Sequence, residues 1–569
     1  MTKKDKNTAA FRKLVADWNS LMRTFIRPED AAARSVLLKY MEQILFGLQE
    51  FLKTHVGITQ EISLRDLAGQ YSNSHIPLTP EKKLDAVITE LIEELAPRVV
   101  NVASPYFVGH MTAAIPFFMV HLKTIVTALN QNVVKIETSK LASVVEKQVL
   151  AKIHRLVYGF DDGFYGAHIQ NVGTSLGGVT QDGTLANMTA LWVARNRLLA
   201  PKDGFRGVEK EGLNAALKAY GLNRCVLLVS RLAHYSLKKA AGVLGIGTEN
   251  AIAIDVDAKN RMDLNCLKAT LAQLRGAAAK TAVLAIVGVA GTTETGTIDP
   301  LPEIAEICLQ NRIHFHVDAA WGGPTLMSDR YALLLKGIEL SDSVIIDGHK
   351  QLYMPMSCGL VLFKDPAAMD AIEYHANYIM RPGSVDLGTK SMAGSRAANS
   401  LILDYALKIM GKKGYALLIE HGIEVARELA AEIRKRPDFQ LVTAPELNIL
   451  TYRYCPAAMQ TAFSKGSRQQ QREINGRLDR INVQIQRLQR EAGRSFVSRT
   501  TLKVENLGPE GIVVLRCVIM NPMTNLKILM EILDEQEAIC QTYGLSGSNS
   551  PWTVSGHRHG AGSPVDSPG

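Results

Sequence analysis

A lysine that acts as a nucleophile must shed its proton, and that is easiest where its ammonium is poorly solvated. His349-Lys350 stands at such a place, after the strand-like residues 343–347 and before the turn Met354-Pro355-Met356-Ser357-Cys358-Gly359. An amine there can condense with a carbonyl to give a Schiff base; the plain alternative is an ordinary surface lysine. Asp318 ends the apolar run 313–317 and precedes Ala319-Ala320-Trp321-Gly322-Gly323, whose small residues let another group approach the backbone. Its carboxylate is suited to ligating a metal, capping a helix or pairing with a protonated ring nitrogen. His234 lies in Ala233-His234-Tyr235-Ser236, after the run 225–230, and is suited to stacking on a flat ring, to proton transfer or to a structural role.

A fourth element has the composition of a phosphate cradle. Thr180-Gln181-Asp182-Gly183-Thr184 leads into a helical stretch over 185–199, and a glycine-containing turn that opens a helix aims backbone N–H groups at an anion. Such turns also merely cap helices. Together, the cradle, a ring partner, a carboxylate for a pyridine nitrogen and a Schiff-base lysine meet the needs of one cofactor, pyridoxal 5'-phosphate (PLP).

The elements that must hold these groups are short β-branched runs at 225–230, 281–288, 313–317, 343–346 and 359–363, alternating with helical segments between about 171 and 363. That alternation predicts βα units around a largely parallel, buried sheet. The polar residues above lie just past the C-terminal ends of the strands, the edge at which open α/β sheets bind ligands. Upstream, Phe11, Leu14, Trp18, Leu21 and Phe25 predict one amphipathic helix, and Leu45, Leu48 and Leu52 another. A third is predicted from Pro80, capped by Thr79 and stopped by Pro97. Past Ser400 the strand-like stretches 447–454 and 512–520 flank a helix marked by Ile474, Leu478, Ile481, Ile485 and Leu488. The predicted organisation is a helical segment at 1–105, a large cofactor-binding domain at 106–400, a small α/β domain at 401–545 and a disordered Gly/Ser/Pro-rich tail at 546–569.

Composition narrows the function class. With 569 residues, 47% hydrophobic and 21% charged, the chain reads as a globular protein with more than one core. A net charge of +9 spread over this length is no basic stripe. Arg472, Arg477, Arg480, Arg487 and Arg490, interleaved with Glu473, Asp479 and Glu491, predict a solvated face; a non-enzymatic nucleic-acid-binding protein, resting on the net charge and this helix, is the different-class alternative. Seven scattered cysteines without close pairs predict neither a disulfide framework nor a metal site. No run is apolar enough to span a membrane, and Met1-Thr2-Lys3-Lys4-Asp5-Lys6 opens no secretory stretch, so a cytoplasmic protein is expected.

Over roughly residues 100–540 the chain resembles the PLP-dependent group II amino-acid decarboxylases. The resemblance rests on 180–187, Ala233-His234-Tyr235-Ser236, Gly291-Thr292-Thr293, Gly296 with Asp299-Pro300, Asp318-Ala319-Ala320, His349-Lys350, Ser395-Arg396, and Arg516 with Asn521-Pro522. It implies a PLP fold type I (aspartate aminotransferase-like) α/β homodimer with active sites at the subunit interface. It further implies that Lys350 carries the cofactor, Asp318 keeps the pyridine nitrogen protonated and His234 stacks on the ring, while Asp182, Gly183 and Thr184 line the phosphate beside His349. Tyr378-Ile379-Met380-Arg381-Pro382-Gly383-Ser384, with Asp386-Leu387-Gly388 and Gly394-Ser395-Arg396, is similar to the bacterial branch that decarboxylates aspartate to β-alanine for pantothenate. Glutamate, cysteine sulfinate and tyrosine are the alternative substrates. Where animal glutamate decarboxylases carry a catalytic tyrosine on a longer loop, this chain has Val385, leaving Tyr378 and His234 as candidate proton donors to Cα. Arg516, flanked by apolar strand residues, is the candidate for the substrate's α-carboxylate, with a structural ion pair as its alternative; His110 and Arg381 are candidates for an acidic side chain.

Overall fold

The apolar runs become strands because each removes β-branched side chains from water on both faces, at about 1.5–3 kcal/mol per fully buried Val, Leu or Ile. The computed structural model describes residues 17–19, 31–53, 56, 64–276, 280–375 and 385–545. Seven strands form the first sheet: β1 (Gly177–Thr180), β2 (Arg224–Ser230), β3 (Ala251–Ile254), β4 (Thr281–Val289), β5 (His314–Asp318), β6 (Ser343–Asp347) and β7 (Gly359–Phe363). Their order is β1-β7-β6-β5-β4-β2-β3. β3, β2, β4, β5 and β6 run parallel, whereas β7 is antiparallel to both its neighbours, β6 and β1. That reversal follows from the short 348–358 connection, which returns the chain without a crossover helix.

The five expected strands match β2, β4, β5, β6 and β7 within a residue or two. β1 and β3 are additional, each four residues long, and β1 starts with two glycines, too little pattern to register in the sequence.

A second sheet, in the order β10-β11-β9-β8, is antiparallel throughout: β8 (Phe439–Thr443), β9 (Ile449–Tyr454), β10 (Ser498–Val504) and β11 (Gly508–Val518). β9 and β11 match the expected strands. β10 escaped because Leu502 is its one buried residue. The helix Arg468–Ala492 packs Ile481 and Ile485 against this sheet and buries Leu478, while of its outer arginines Arg472 pairs with Glu510 at 2.7 Å and Arg487 with Glu491 at 3.8 Å.

The helix Asn399–Lys435, kinked at Gly411, joins the two cores: Ile402, Leu403 and Ala406 lie in the first, Leu429 and Ile433 in the second. Residues 106–109 cross to the second sheet, where Val108 N–H donates to Phe496 O at 2.9 Å and Val518 N–H to Val108 O at 2.7 Å. Gly109 is obligatory there, since a Cβ would stand 2.5 Å from the Phe496 ring.

Upstream, Leu45, Leu48 and Leu52 lie on the helix Ala31–Leu52. The helix expected from Pro80 instead begins at Leu84 with Lys83 as its cap, and it continues as irregular turns to Arg98. Pro80-Glu81-Lys82-Lys83 is exposed and has no apolar face to hold it down, so favourable capping residues at Thr79-Pro80 start nothing. The helix expected over 11–25 lies outside the described residues, apart from Asp17–Asn19.

At the first residue of β7 a Cβ would stand 2.6 Å from the Asp182 backbone and from Thr180 Oγ1. Gly359→Ala should therefore cost about 1–3 kcal/mol by overpacking. Urea unfolding measures this; an unchanged midpoint would mean that the β1 turn yields freely.

Candidate active site

Five chain segments deliver polar groups to one edge of the first sheet, because parallel strands end on the same side. β1 feeds the helix Gly183–Leu198, which is capped by Asp182: its carboxylate accepts Leu185 N–H at 2.9 Å. The N–H groups of the first turn have no intrahelical acceptors, which makes that terminus an anion site. Gly183 allows the close approach of β6, since a Cβ would lie 2.8 Å from Asp347 Oδ2. His234 follows β2, Gly291–Thr293 follow β4, Asp318 ends β5, and His349-Lys350 follow β6.

These residues enclose a cavity of about 180 Å3, and Asp182, Gly183, Thr184, His234, Asp318, His349 and Lys350 all line it. Lys350 Nζ lies 3.0 Å from Asp347 Oδ2. Asp347 is buried, and its Oδ1 has no partner among the described residues. His349 donates from Nδ1 to Cys358 O at 2.9 Å, which fixes the ring. Asp318 is 5% exposed; its Oδ1 accepts Ala320 N–H at 3.2 Å and its Oδ2 accepts Asn187 Nδ2 at 2.9 Å. Burial lowers the His234 imidazole below its ordinary value, so the ring is neutral near pH 7.

The donor set fits PLP: an open helix terminus for a phosphate, an amine for an aldehyde, a buried carboxylate for a ring nitrogen, and an imidazole beside them. Among the described residues no group of three potential metal ligands occurs.

Arg516 and His110 do not line this cavity. Arg516, on β11, is 7% exposed; its Nη1 donates to Gly109 O at 3.2 Å and to Ser498 Oγ at 3.1 Å, while Nε has no partner among the described residues. Burial brings its guanidinium down to about 10 against the support of the nearby Glu294 carboxylate. His110 is accessible along one side, and its imidazole is lowered by partial desolvation and then by the charges of Arg516 and Lys350. Arg396, of the Ser395-Arg396 motif, is committed to a buried bidentate pair with Glu146, at 2.7 and 2.5 Å. Tyr378 and Arg381 lie outside the described residues.

Four site residues were not singled out from sequence: Asn187, Ser236, His316 and Asp347. Spacing from residues already named would have found three of them. Asn187 is one helical turn beyond Gly183, His316 shares a strand face with Asp318 two residues on, and Ser236 is two residues past His234. Asp347 carried a signal in its spacing, one turn before Lys350.

This α/β architecture and its lysine–aspartate–helix-terminus cavity define a PLP-dependent enzyme. Solved structures share the fold: mouse CSAD superposes with a TM-score of 0.75 at 22% identity over 89% of this chain and 99% of that one. The glutamate decarboxylase domain of diaminobutyrate-pyruvate transaminase and L-2,4-diaminobutyrate decarboxylase from Vibrio parahaemolyticus also gives 0.75, at 20% identity, covering 93% of this chain and 100% of that one. The pyridoxal-dependent decarboxylase conserved domain matches residues 69–455. An aspartate 1-decarboxylase from Aliivibrio fischeri is 45% identical over 531 residues, 93% of this chain and 96% of its own length. Human acidic amino acid decarboxylase GADL1 is 30% identical over 65% of this chain and 68% of its own. The chain belongs to the pyridoxal-dependent decarboxylase family and is a PLP-dependent carboxy-lyase acting on an amino acid.

Burial also holds His314 and His316 down at about 3, from 6.5. Below pH 6.5 the unfolded chain binds protons that the fold refuses, so these groups make stability fall as pH drops from 6.5 toward about 3. His314→Gln, which keeps a donor but not the titration, should flatten that slope in urea unfolding between about pH 7 and about pH 5. Identical slopes in parent and variant would contradict the assignment.

Proposed function

We propose that this enzyme removes the α-carboxyl group of L-aspartate to give β-alanine and CO2, with PLP held on Lys350. The observation that carries the reading is the Lys350 amine, 3.0 Å from Asp347 Oδ2, opening on the cavity that also presents Asp318 and the helix terminus at Gly183. The 45% identity to an aspartate 1-decarboxylase supports aspartate as the substrate.

Bound there, the cofactor supplies an electron sink for the pair left on Cα when CO2 departs. Lys350 would hold the cofactor by its aldehyde, with its amine placed at the cavity beside Asp347. Asp318, the carboxylate that ends β5, would hold the cofactor's ring nitrogen as its protonated form. His234 would pack on the ring, and the Asp182-Gly183-Thr184 turn would receive the phosphate through backbone N–H groups, with His349 beside it.

Arg516 receives a substrate carboxylate, which its partnerless, buried Nε supports. His110, and Arg381 outside the described residues, are candidates for the second carboxylate. A proton returns to Cα from His234 or from Tyr378.

The reading includes a homodimer with the 1–105 segment contributing to the interface. Its support is apolar surface left open in the single chain, including Leu45, Leu48, Leu91, Leu95, Phe117 and Ile125. No described helix is long and apolar enough to cross a membrane, and the site of action is taken to be the cytoplasm, where β-alanine feeds pantothenate synthesis.

Two measurements test the proposal. Lys350→Ala should lose the near-visible absorption of lysine-bound cofactor and on the order of 10^3-fold or more in turnover, as removal of a covalent nucleophile does. Steady-state assays of the parent with aspartate, glutamate, cysteine sulfinate and tyrosine should rank aspartate first in kcat/KM; a preference for tyrosine would reject an acidic substrate.

A further inference from the structure

Asn187 is buried under the cavity and occupies a junction that the roles above leave unexplained. Its Nδ2 lies 2.9 Å from Asp318 Oδ2 and 3.1 Å from Ser236 Oγ, and its Oδ1 lies 2.8 Å from His316 Nε2. A carboxylate only accepts, so the amide nitrogen must face Asp318, and both of its hydrogens are then committed. The amide oxygen consequently faces His316, which has to donate from Nε2.

That choice propagates away from the cavity. With Nε2 protonated, the neutral His316 ring accepts at Nδ1 from Ser343 Oγ, 2.8 Å away. Ser343 Oγ in turn accepts from His314 Nε2, also at 2.8 Å. The bonds therefore run with one polarity from His314 through Ser343, His316 and Asn187 to Asp318. Burial of both imidazoles keeps them neutral, so no charge interrupts the chain.

The other amide hydrogen points toward His234. Ser236 Oγ accepts it and donates to His234 Nδ1 at 2.8 Å, and Ser236 N–H faces the same nitrogen at 3.4 Å. With Nδ1 an acceptor, the neutral His234 ring carries its proton on Nε2.

We propose that Asn187 is a positioning residue that sets both Asp318 and His234, holding the carboxylate as an acceptor and the imidazole as its Nε2–H tautomer, with His316, Ser343 and His314 fixing the orientation of its amide. The proposal deepens the roles given above to Asp318 and His234. It is separable from the choice of substrate, because its principal readouts need none.

The test uses the full-length protein, as parent, Asn187→Ala and Ser236→Ala, the last removing one hydroxyl in case the first fails to fold. Side-chain 15N spectra of the apoprotein should show His234 protonated at Nε2 in the parent and lose that fixed tautomer in each variant that folds. Fluorescence titration of apo Asn187→Ala with PLP should show weaker binding, and kcat should fall with little change in KM, each by about 10–100-fold, the scale on which partners behind a liganding group act. A merely structural asparagine would lower the melting temperature and leave the tautomer, the PLP affinity and the ratio of kcat to KM as they are. A parent His234 protonated at Nδ1, or folded variants whose His234 spectra and PLP affinities match the parent's, would overturn the proposal. Correct spectra together with no turnover of aspartate would instead count against the substrate assignment alone.

Discussion

The register of three parallel strands is the constraint on which the site depends. Val289 on β4 pairs with Asp318 on β5, and Asp318 pairs with Ile345 on β6, so one row across the sheet fixes where three connections leave it. From that row the chain needs two more residues to reach Asp347 and five to reach Lys350. A slip of one residue in β5 would turn Asp318 to the opposite face of the sheet. Side chains buried on both faces of β5 and β6 make such a slip costly, so the core itself aligns the carboxylate and the amine.

Placing charged and polar groups at such an edge is costly unless each finds a partner. Here Asp318 receives Asn187 and the Ala320 N–H, and Lys350 receives Asp347. Asp347 Oδ1 and Arg516 Nε are among the buried atoms that have no partner among the described residues. They flank the cavity and the second sheet, where the proposed cofactor and substrate bring new groups. The cavity wall is tied to the start of β9, since Trp321 Nε1 donates to Oδ1 of Asn448, the residue before that strand, at 2.9 Å.

Much of this was legible in the sequence because its causes are local. The runs that became β2, β4, β5, β6 and β7 are continuous and β-branched, and Asp318, His234 and Lys350 stood out as polar residues directly after them. β1 and β10 were hidden by glycines and by a pattern with a single buried residue. Thr79-Pro80 misled because good capping chemistry cannot start a helix without an apolar face to bury. Asn187 and His316 share a helix face with Gly183 and a strand face with Asp318, but that spacing gives them no role until the sheet brings them 2.8 Å apart. Arg516 was recognisable as a buried charge, but not its absence from the residues that line the cavity.

The central claim is that one amine at this sheet edge holds the cofactor covalently. Borohydride reduction of the PLP-loaded enzyme followed by peptide mass mapping tests it most directly. A phosphopyridoxyl mass on the peptide that contains Lys350, and on no other, is predicted; the label on a different lysine, or no label on a protein that binds PLP, would contradict the account.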